Sequence, residues 1–314
     1  MKMTRWLAAA VAALPLARAG AGPIEPKRVP ENAVWVVHLD VERLKQTEVG
    51  KFLMEQLKTP DAERQLAAAR TVFDFDPREN LLTMTLFGND FKNPAVVALV
   101  QGKFDAERLA TLAGGQPNYL QSDYAGSIVH QWDDRNNGRT MFAAFPAEGW
   151  IAAGSDGEAL KAALDVLGAR KPSMAGKAGS FLPAPSNNLP MLTIALSLAN
   201  AELGADAPPA VKEARSGALT ITELAGEVSL DVAVEFANVE RAAQVRDLAA
   251  GFVAMAAMNA QENPELAELA QKAQITLDGA TARLRLRMPA AKLREAVLKT
   301  MQEQAPAPAP APDR

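Results

Sequence analysis

A chain of 314 residues that is 48% hydrophobic and 22% charged has the balance of a globular protein with a sizeable core, which excludes a wholly disordered or fibrous chain. Aromatics make up only 5%, so that core must rest mainly on Leu, Val, Ala and Met. The formal charge of −4 argues against a general surface for nucleic acid or anionic lipid, and the absence of Cys excludes disulfides, thiolate metal sites and Cys nucleophiles.

Residues 1–19 read as a signal peptide. Lys2 and Arg5 form a positive start, residues 6–16 are apolar, and Ala17-Arg18-Ala19 fits the small-x-small cleavage pattern, with Ala19-Gly20-Ala21 as a second match. The apolar run is too short to remain as a spanning helix, and without a Cys the lipoprotein route is closed. Removing the leader takes away three positive residues and no acids, which moves the formal charge from −4 to −7. The expectation is an exported protein, periplasmic or extracellular, with no transmembrane segment after cleavage. An uncleaved leader acting as an anchor is the alternative.

Residues 20–32 are a Pro- and Gly-rich lead-in. Residues 34–39 predict a strand, followed by a helix over 41–57 and a second over 61–70, the latter started by Thr59-Pro60. Residues 73–80 are turn-rich. Strands are predicted at 82–87 and 95–101, then a helix from Asp105 to Gly114-Gly115. Residues 119–132 and 140–145 read as strands joined through DDRNNG, a strong hairpin signal because Asn and Gly tolerate positive φ. A strand at 150–153 and a helix from Asp156 to 167 complete a first half, 33–168. Residues 169–188, rich in Gly, Pro, Ser and Lys, read as a linker.

The second half, 189–304, predicts strands at 191–198, 219–224 and 228–236, the last two turning at Ala225-Gly226, with a short helix or loop near 207–215. A long Ala- and Met-rich helix over 239–258 follows. Its apolar spacing suits a core helix, or else a groove for a partner or lipid. A helix from Asn263-Pro264, a hairpin about Asp278-Gly279 and a helix over 290–304 finish it. Residues 305–314, APAPAPAPDR, read as an extended disordered tail.

One junction recurs: a strand runs into an acidic helix start, at Asp40, Asp105, Asp156 and Asn238. Asp or Asn there can accept from the free N–H groups of the first turn, worth about 1 kcal/mol. The motifs also recur at matching offsets: Leu82 to Leu219 is 137 residues, Asp105 to Asn238 is 133 and Asp156 to Ala290 is 134. The fold class expected is α+β: two tandem related β-α-β-β-α-β-β-α halves with largely antiparallel sheets and helices on one face.

Candidate chemistry is sparse. The chain has two His, at 38 and 130. Were their strands adjacent, His38, Asp40, His130 and Asp133 would offer two imidazoles and two carboxylates to a metal; otherwise they are two unrelated imidazoles. Asp74 and Asp76 alternate with Phe73 and Phe75, which suits a strand end with one wet side better than acid–base work. Arg283, Arg285 and Arg287 form one cationic strand face, either the solvated side of a sheet or a contact for an anionic glycan or a partner's acids. Nucleophile elbows, zinc-protease motifs and phosphate loops are absent, so no cofactor is implied.

Asp76-Pro77-Arg78-Glu79-Asn80-Leu81, LTMTLFG and the strand ending in GKFD resemble a pattern of uncharacterised exported bacterial proteins, in which a D-P-x-x-D-L turn precedes a T-Φ-[YF]-G strand and a G-x-F-D strand end. Asn80 stands where that pattern has Asp. The resemblance implies compartment and fold and no catalysis. The functional expectation is a non-enzymatic envelope protein that binds a protein or glycan. The alternatives are a metal-dependent periplasmic enzyme or metal-binding protein using His38 and His130, or a structural spacer.

Overall fold

The computed structural model describes residues 22–92, 95–135, 138–184, 189–199, 212–258, 261 and 264–303. The expected leader, the Pro/Ala tail, Asn263 and most of 207–215 lie outside them. The chain is α+β. In order, the elements are β1 (Trp35–Asp40), α1 (Val41–Gln46), α2 (Glu48–Gln56), α3 (Pro60–Phe73), α4 (Pro77–Asn80), β2 (Leu81–Gly88), β3 (Val97–Gly102), α5 (Ala106–Gly114), β4 (Leu120–Tyr124), β5 (Ser127–Asp133), β6 (Thr140–Ala147), β7 (Trp150–Gly154) and α6 (Gly157–Leu167). Then come β8 (Leu192–Ser197), β9 (Ala214–Leu224), β10 (Glu227–Phe236), α7 (Val239–Met258), α8 (Pro264–Lys272), β11 (Gln274–Asp278), β12 (Thr281–Pro289) and α9 (Ala290–Glu303). Among the described residues no helix is long and apolar enough to cross a membrane.

The four recurrent junctions are helix caps. The side chains of Asp40, Asp105, Asp156 and Asn238 each accept a hydrogen bond from the backbone N–H three residues on, at 2.8–3.0 Å. Between α1 and α2, Thr47 ends one helix and starts the next. Its hydroxyl donates to Leu44 O at 2.7 Å and accepts from Gly50 N at 2.9 Å, so the single helix expected over 41–57 breaks there. A Cβ at Gly50 would fall 1.7 Å from Leu44 O, so only glycine permits the bend.

Among the described residues the strands form one antiparallel sheet in the order β11-β12-β10-β9-β8-β1-β2-β3-β7-β6-β5-β4. The two sets of strands meet where β1 pairs with β8, His38 opposite Thr193. The stretch 119–132, which reads as one strand, is a hairpin. It turns at Ala125-Gly126, both at positive φ, as the same dipeptide does at Ala225-Gly226.

Side chains alternate across this sheet and the registers carry the alternation from strand to strand. The front face holds Val36, Phe87, Leu99 and Ala152, which pack with Leu160 and Leu164 of α6 and with Met174, Phe181 and Leu182 of the segment leading to β8. Further along, the same face becomes polar and open at Thr220, Asp231 and Arg285. Across the middle of the sheet the back face is apolar: Val232, Leu219, Ile194, Val37, Leu86, Ala98 and Ala153 stand opposite one another on successive strands, and His130 follows on this face toward the β4 edge. Here α7 packs through Ala242 and Val245 onto Val234, Leu277 and Ala282, while α9 and α2 meet over Val228 and Met288. Helices therefore lie on both faces, where the sequence pattern leads one to expect a single face. Helix spacing marks each helix's apolar side but not which side of the sheet receives it.

Two charged contacts tie distant segments. Glu223 at the end of β9 caps α2, accepting from Glu48 N at 2.6 Å and Val49 N at 3.1 Å. Asp76, buried at 3% exposure, receives Arg78 N at 2.9 Å, the Arg78 side chain at 3.0–3.3 Å and Arg70 Nε at 2.7 Å, and Arg78 reaches on to Glu63 of α3 at 2.6 Å. Asp76 N donates to Asn80 Oδ1 at 2.7 Å, a role that asks only for an acceptor, so Asn serves where the related pattern has Asp.

The hydrogen bonds from Arg78 hold the Asp76 carboxyl down at about 2, below its ordinary 3.8. Its contribution is therefore complete above the ordinary value and is lost as pH falls through the folded one. We expect D76N to lose about 2 kcal/mol of unfolding free energy at pH 7, and the gap between variant and wild type to close as pH approaches 2, read by urea titration across that range.

Candidate functional site

The chemistry-bearing residues singled out in the sequence fall in separate places. His38 lies on the front face of β1, 3% exposed. Its Nε2 is 3.0 Å from Gly22 O and its Nδ1 is 2.8 Å from Thr85 Oγ1. A carbonyl can only accept, so Nε2–H donates to Gly22 and Nδ1 accepts from the Thr85 hydroxyl. Both nitrogens are thus occupied in the neutral ring. Burial pushes the His38 pKa down, against the opposing hydrogen bond to Gly22 and the charge of Asp40. Asp40 is also buried, which raises its carboxyl pKa, while the cap to Arg43 N pulls the other way.

His130 lies on β5, buried at 5% exposure. Its Nδ1 meets Tyr119 OH at 2.9 Å, its ring stacks on Tyr119 and Phe145 presents an edge at 5.6 Å. Burial lowers its pKa as well. Asp133 accepts from Asn118 Nδ2 at 2.7 Å and Thr140 Oγ1 at 2.9 Å, which fixes the base of the β5–β6 hairpin and lowers its carboxyl pKa.

These residues do not form the shared metal centre that adjacent strands would have made. Strands β2, β3, β7 and β6 separate β1 from β5, and five steps of about 4.8 Å put the two imidazoles roughly 24 Å apart. Among the described residues no group of three or more His, Asp or Glu is placed to hold a metal. Sheet order decides this, and local spacing carries no information about sheet order.

Arg283, Arg285 and Arg287 do form one exposed row on β12, on the polar stretch of the front face. Each faces an acid on a neighbouring strand: Asp278 at 3.4 Å, Asp231 at 2.5 Å and Glu227 at 3.8 Å respectively. The row is a charge-matched ladder and not a bare cationic stripe. Asp74 is the left-handed residue that ends α3 (φ 52°), and Asp76 is the clasp already described.

Two features escaped the sequence reading. Beside His38 on β8, Thr193 is fully buried and its hydroxyl has no hydrogen-bond partner among the described residues. A buried hydroxyl without a partner costs stability. The second is an apolar cavity of about 290 Å³ on the back face, between β8, β9, β10 and α7. Leu196, Gly217, Leu219, Val234 and Phe236 of the sheet and Val245 of α7 line it. Outward from Val245, α7 exposes Leu248, Phe252, Met255 and Met258, and the helix carries no charged residue after Asp247. Alternation in β8–β10 marks an apolar face, yet the cavity depends on Gly217 leaving a gap opposite Leu196, which no pattern announces.

No family model matches the chain, and no curated protein matches it. Among solved structures it aligns with crystal forms III, I and IV of TP0453, at TM-scores of 0.45, 0.42 and 0.47 and identities of 9%, 9% and 8%. Each alignment covers 88% of this chain and 97–98% of the other. Likeness at this level carries no argument about function.

Two outcomes follow from the buried polar residues. T193V removes the unpartnered hydroxyl with little change of shape and is expected to raise unfolding free energy by about 1 kcal/mol, read by thermal or urea unfolding; a loss instead would mean that the hydroxyl is hydrogen-bonded. Both His have folded pKa values below their ordinary 6.5, so their contribution is full above that value and declines as pH falls below it. Unfolding free energy is expected to drop below pH 6.5, with a shallower slope in H38Q and a still shallower one in the H38Q/H130Q double variant.

Proposed function

We propose that this is an exported, non-enzymatic binding protein of the bacterial envelope, and that it binds through the apolar back face of its sheet. The apolar cavity carries the reading. Among the described residues its lining is aliphatic, aromatic and glycine, and its volume of about 290 Å³ is roughly twice that of the ~150 Å³ apolar cavity able to hold a benzene. The leader pattern at residues 1–19 supports the compartment, and the charge-free stretch of α7 that begins one turn beyond the cavity-lining Val245 supports an apolar partner.

We read the scaffold as two tandem related halves. In support, strand order runs β1-β2-β3-β7-β6 outward on one side of the β1–β8 pair and β8-β9-β10-β12-β11 on the other, with β5 and β4 added to the first. The closing helices break the relation: α6 covers the front face and α9 the back. That difference leaves the back face of the second half roofed by helices and gives it the cavity.

The test uses the fluorescence of 1-N-phenylnaphthylamine, which brightens in apolar sites. A Cβ at Gly217 would meet Leu196 at 3.6 Å, an ordinary contact, so a side chain starts there without a clash, and Gly217 lines the cavity it would enter. Purified protein is expected to bind the dye saturably, and G217L to lose binding by at least tenfold with an unchanged circular dichroism spectrum. Dye binding that G217L leaves intact refutes the cavity as the site.

A further inference from the structure

The register between β9 and β10 runs without interruption from Leu224↔Glu227 to Ser216↔Glu235 and then shifts, so that Ala214 stands opposite Phe236. Arg215 is the extra residue of a β-bulge. A bulge of this kind sets two residues against one and turns both toward the same side. Ala214 and Phe236 both line the apolar cavity, and alternation from Gly217 likewise puts Arg215 on the back face. The bulge is fastened to the cavity wall, because Arg215 O accepts from Leu198 N at 2.7 Å and Leu198 is part of the lining.

Arg215 is exposed and has no ion pair among the described residues. The acids beside it are engaged elsewhere: Glu213 pairs with Arg241 of α7, and Glu235 accepts from Ser216 on the opposite face at 2.9 Å. This contrasts with the three arginines of β12, each facing an acid. A guanidinium with no ion pair among the described residues, carried by the strand between the cavity-lining Ala214 and Gly217, matches a ligand with an apolar body and an anionic end, since a guanidinium pairs carboxylate or phosphate through paired N–H donors.

Building on the cavity reading above, we propose that the cavity takes the tail of a single-chain anionic amphiphile and that Arg215 pairs with its head. A carboxylate from a free fatty acid and a phosphate from a lysophospholipid share that chemistry. At about 290 Å³ the cavity has room for part of one acyl chain and none for the paired tails of a diacyl lipid.

The experiment compares cis-parinaric acid with its methyl ester, which keeps the tail and loses the charge, on the full chain. Wild type is expected to bind the acid about tenfold more tightly than the ester, the step that one charge-assisted hydrogen bond of roughly 1.4 kcal/mol provides. R215Q should bring the acid down to the ester's affinity, and R215K should recover part of the difference. Displacement of the bound acid by palmitate identifies a carboxylate head, and displacement by palmitoyl-lysophosphatidylglycerol a phosphate head; failure of both overturns the proposal. Equal binding of acid and ester, or an R215Q variant indistinguishable from wild type while G217L abolishes binding, overturns the role of Arg215 and leaves the cavity reading standing. Binding that survives G217L removes both. Matched melting curves for R215Q and wild type confirm that a loss of binding is not a loss of fold.

Discussion

The constraint on which this molecule depends is the two-residue period of an extended chain, kept in register over many strands. Once β1 places Val36, His38 and Asp40 on one side and Val37 and Leu39 on the other, the pairing with β2 and β8 dictates which neighbours each of them meets. A slip of one residue at any ladder would exchange an apolar face for a polar one. The front face changes character along the sheet, buried under α6 at one end and carrying paired charges at the other. The back face stays apolar across the middle of the sheet, and the helices roof only part of it.

That division explains where polar groups are tolerated. Under the cover of the front face, His38, Thr85 and Asp40 are each matched to a specific partner, because an unmatched buried polar atom is costly. Thr193 is the exception, and it sits at the seam between the two sets of strands. On the open part of the same face the charges come as cross-strand pairs. On the back face polar groups stand at Glu223, which caps α2, at His130 toward the β4 edge, and at the bulge at Arg215, where the ladder has given up its regular alternation.

Much of the local architecture was legible in the sequence, because its causes are local. The caps at Asp40, Asp105, Asp156 and Asn238 are set by a side chain and the first turn that follows it. The turn at Ala225-Gly226 stood out between two clearly alternating runs; the identical dipeptide at 125–126 did not, because residues 119–132 alternate poorly and read as one strand. The break at Thr47 was hidden because Thr-Glu inside an amphipathic run is as compatible with a continuous helix as with a second cap. What local reasoning could not reach was long-range order. Proximity of His38 to His130 hinged on which strands are neighbours, and the placement of helices on two faces hinged on how each chain segment leaves its strand. Gly217 and Arg215 became conspicuous only once the register of β8, β9 and β10 was known.

The position of β1 has a consequence for how the chain reaches this state. As the first strand in sequence it sits in the interior of the sheet, flanked on one side by β2 and on the other by β8, some 150 residues later. Until β8 is in place, one side of β1 presents unpaired N–H and C=O groups next to apolar side chains, the arrangement most prone to pairing with another chain. The contact that completes the sheet is also among its most distant in sequence, which places it late and makes assembly slow. A protein built this way is most exposed to aggregation in the interval between emergence of its first strand and arrival of its eighth.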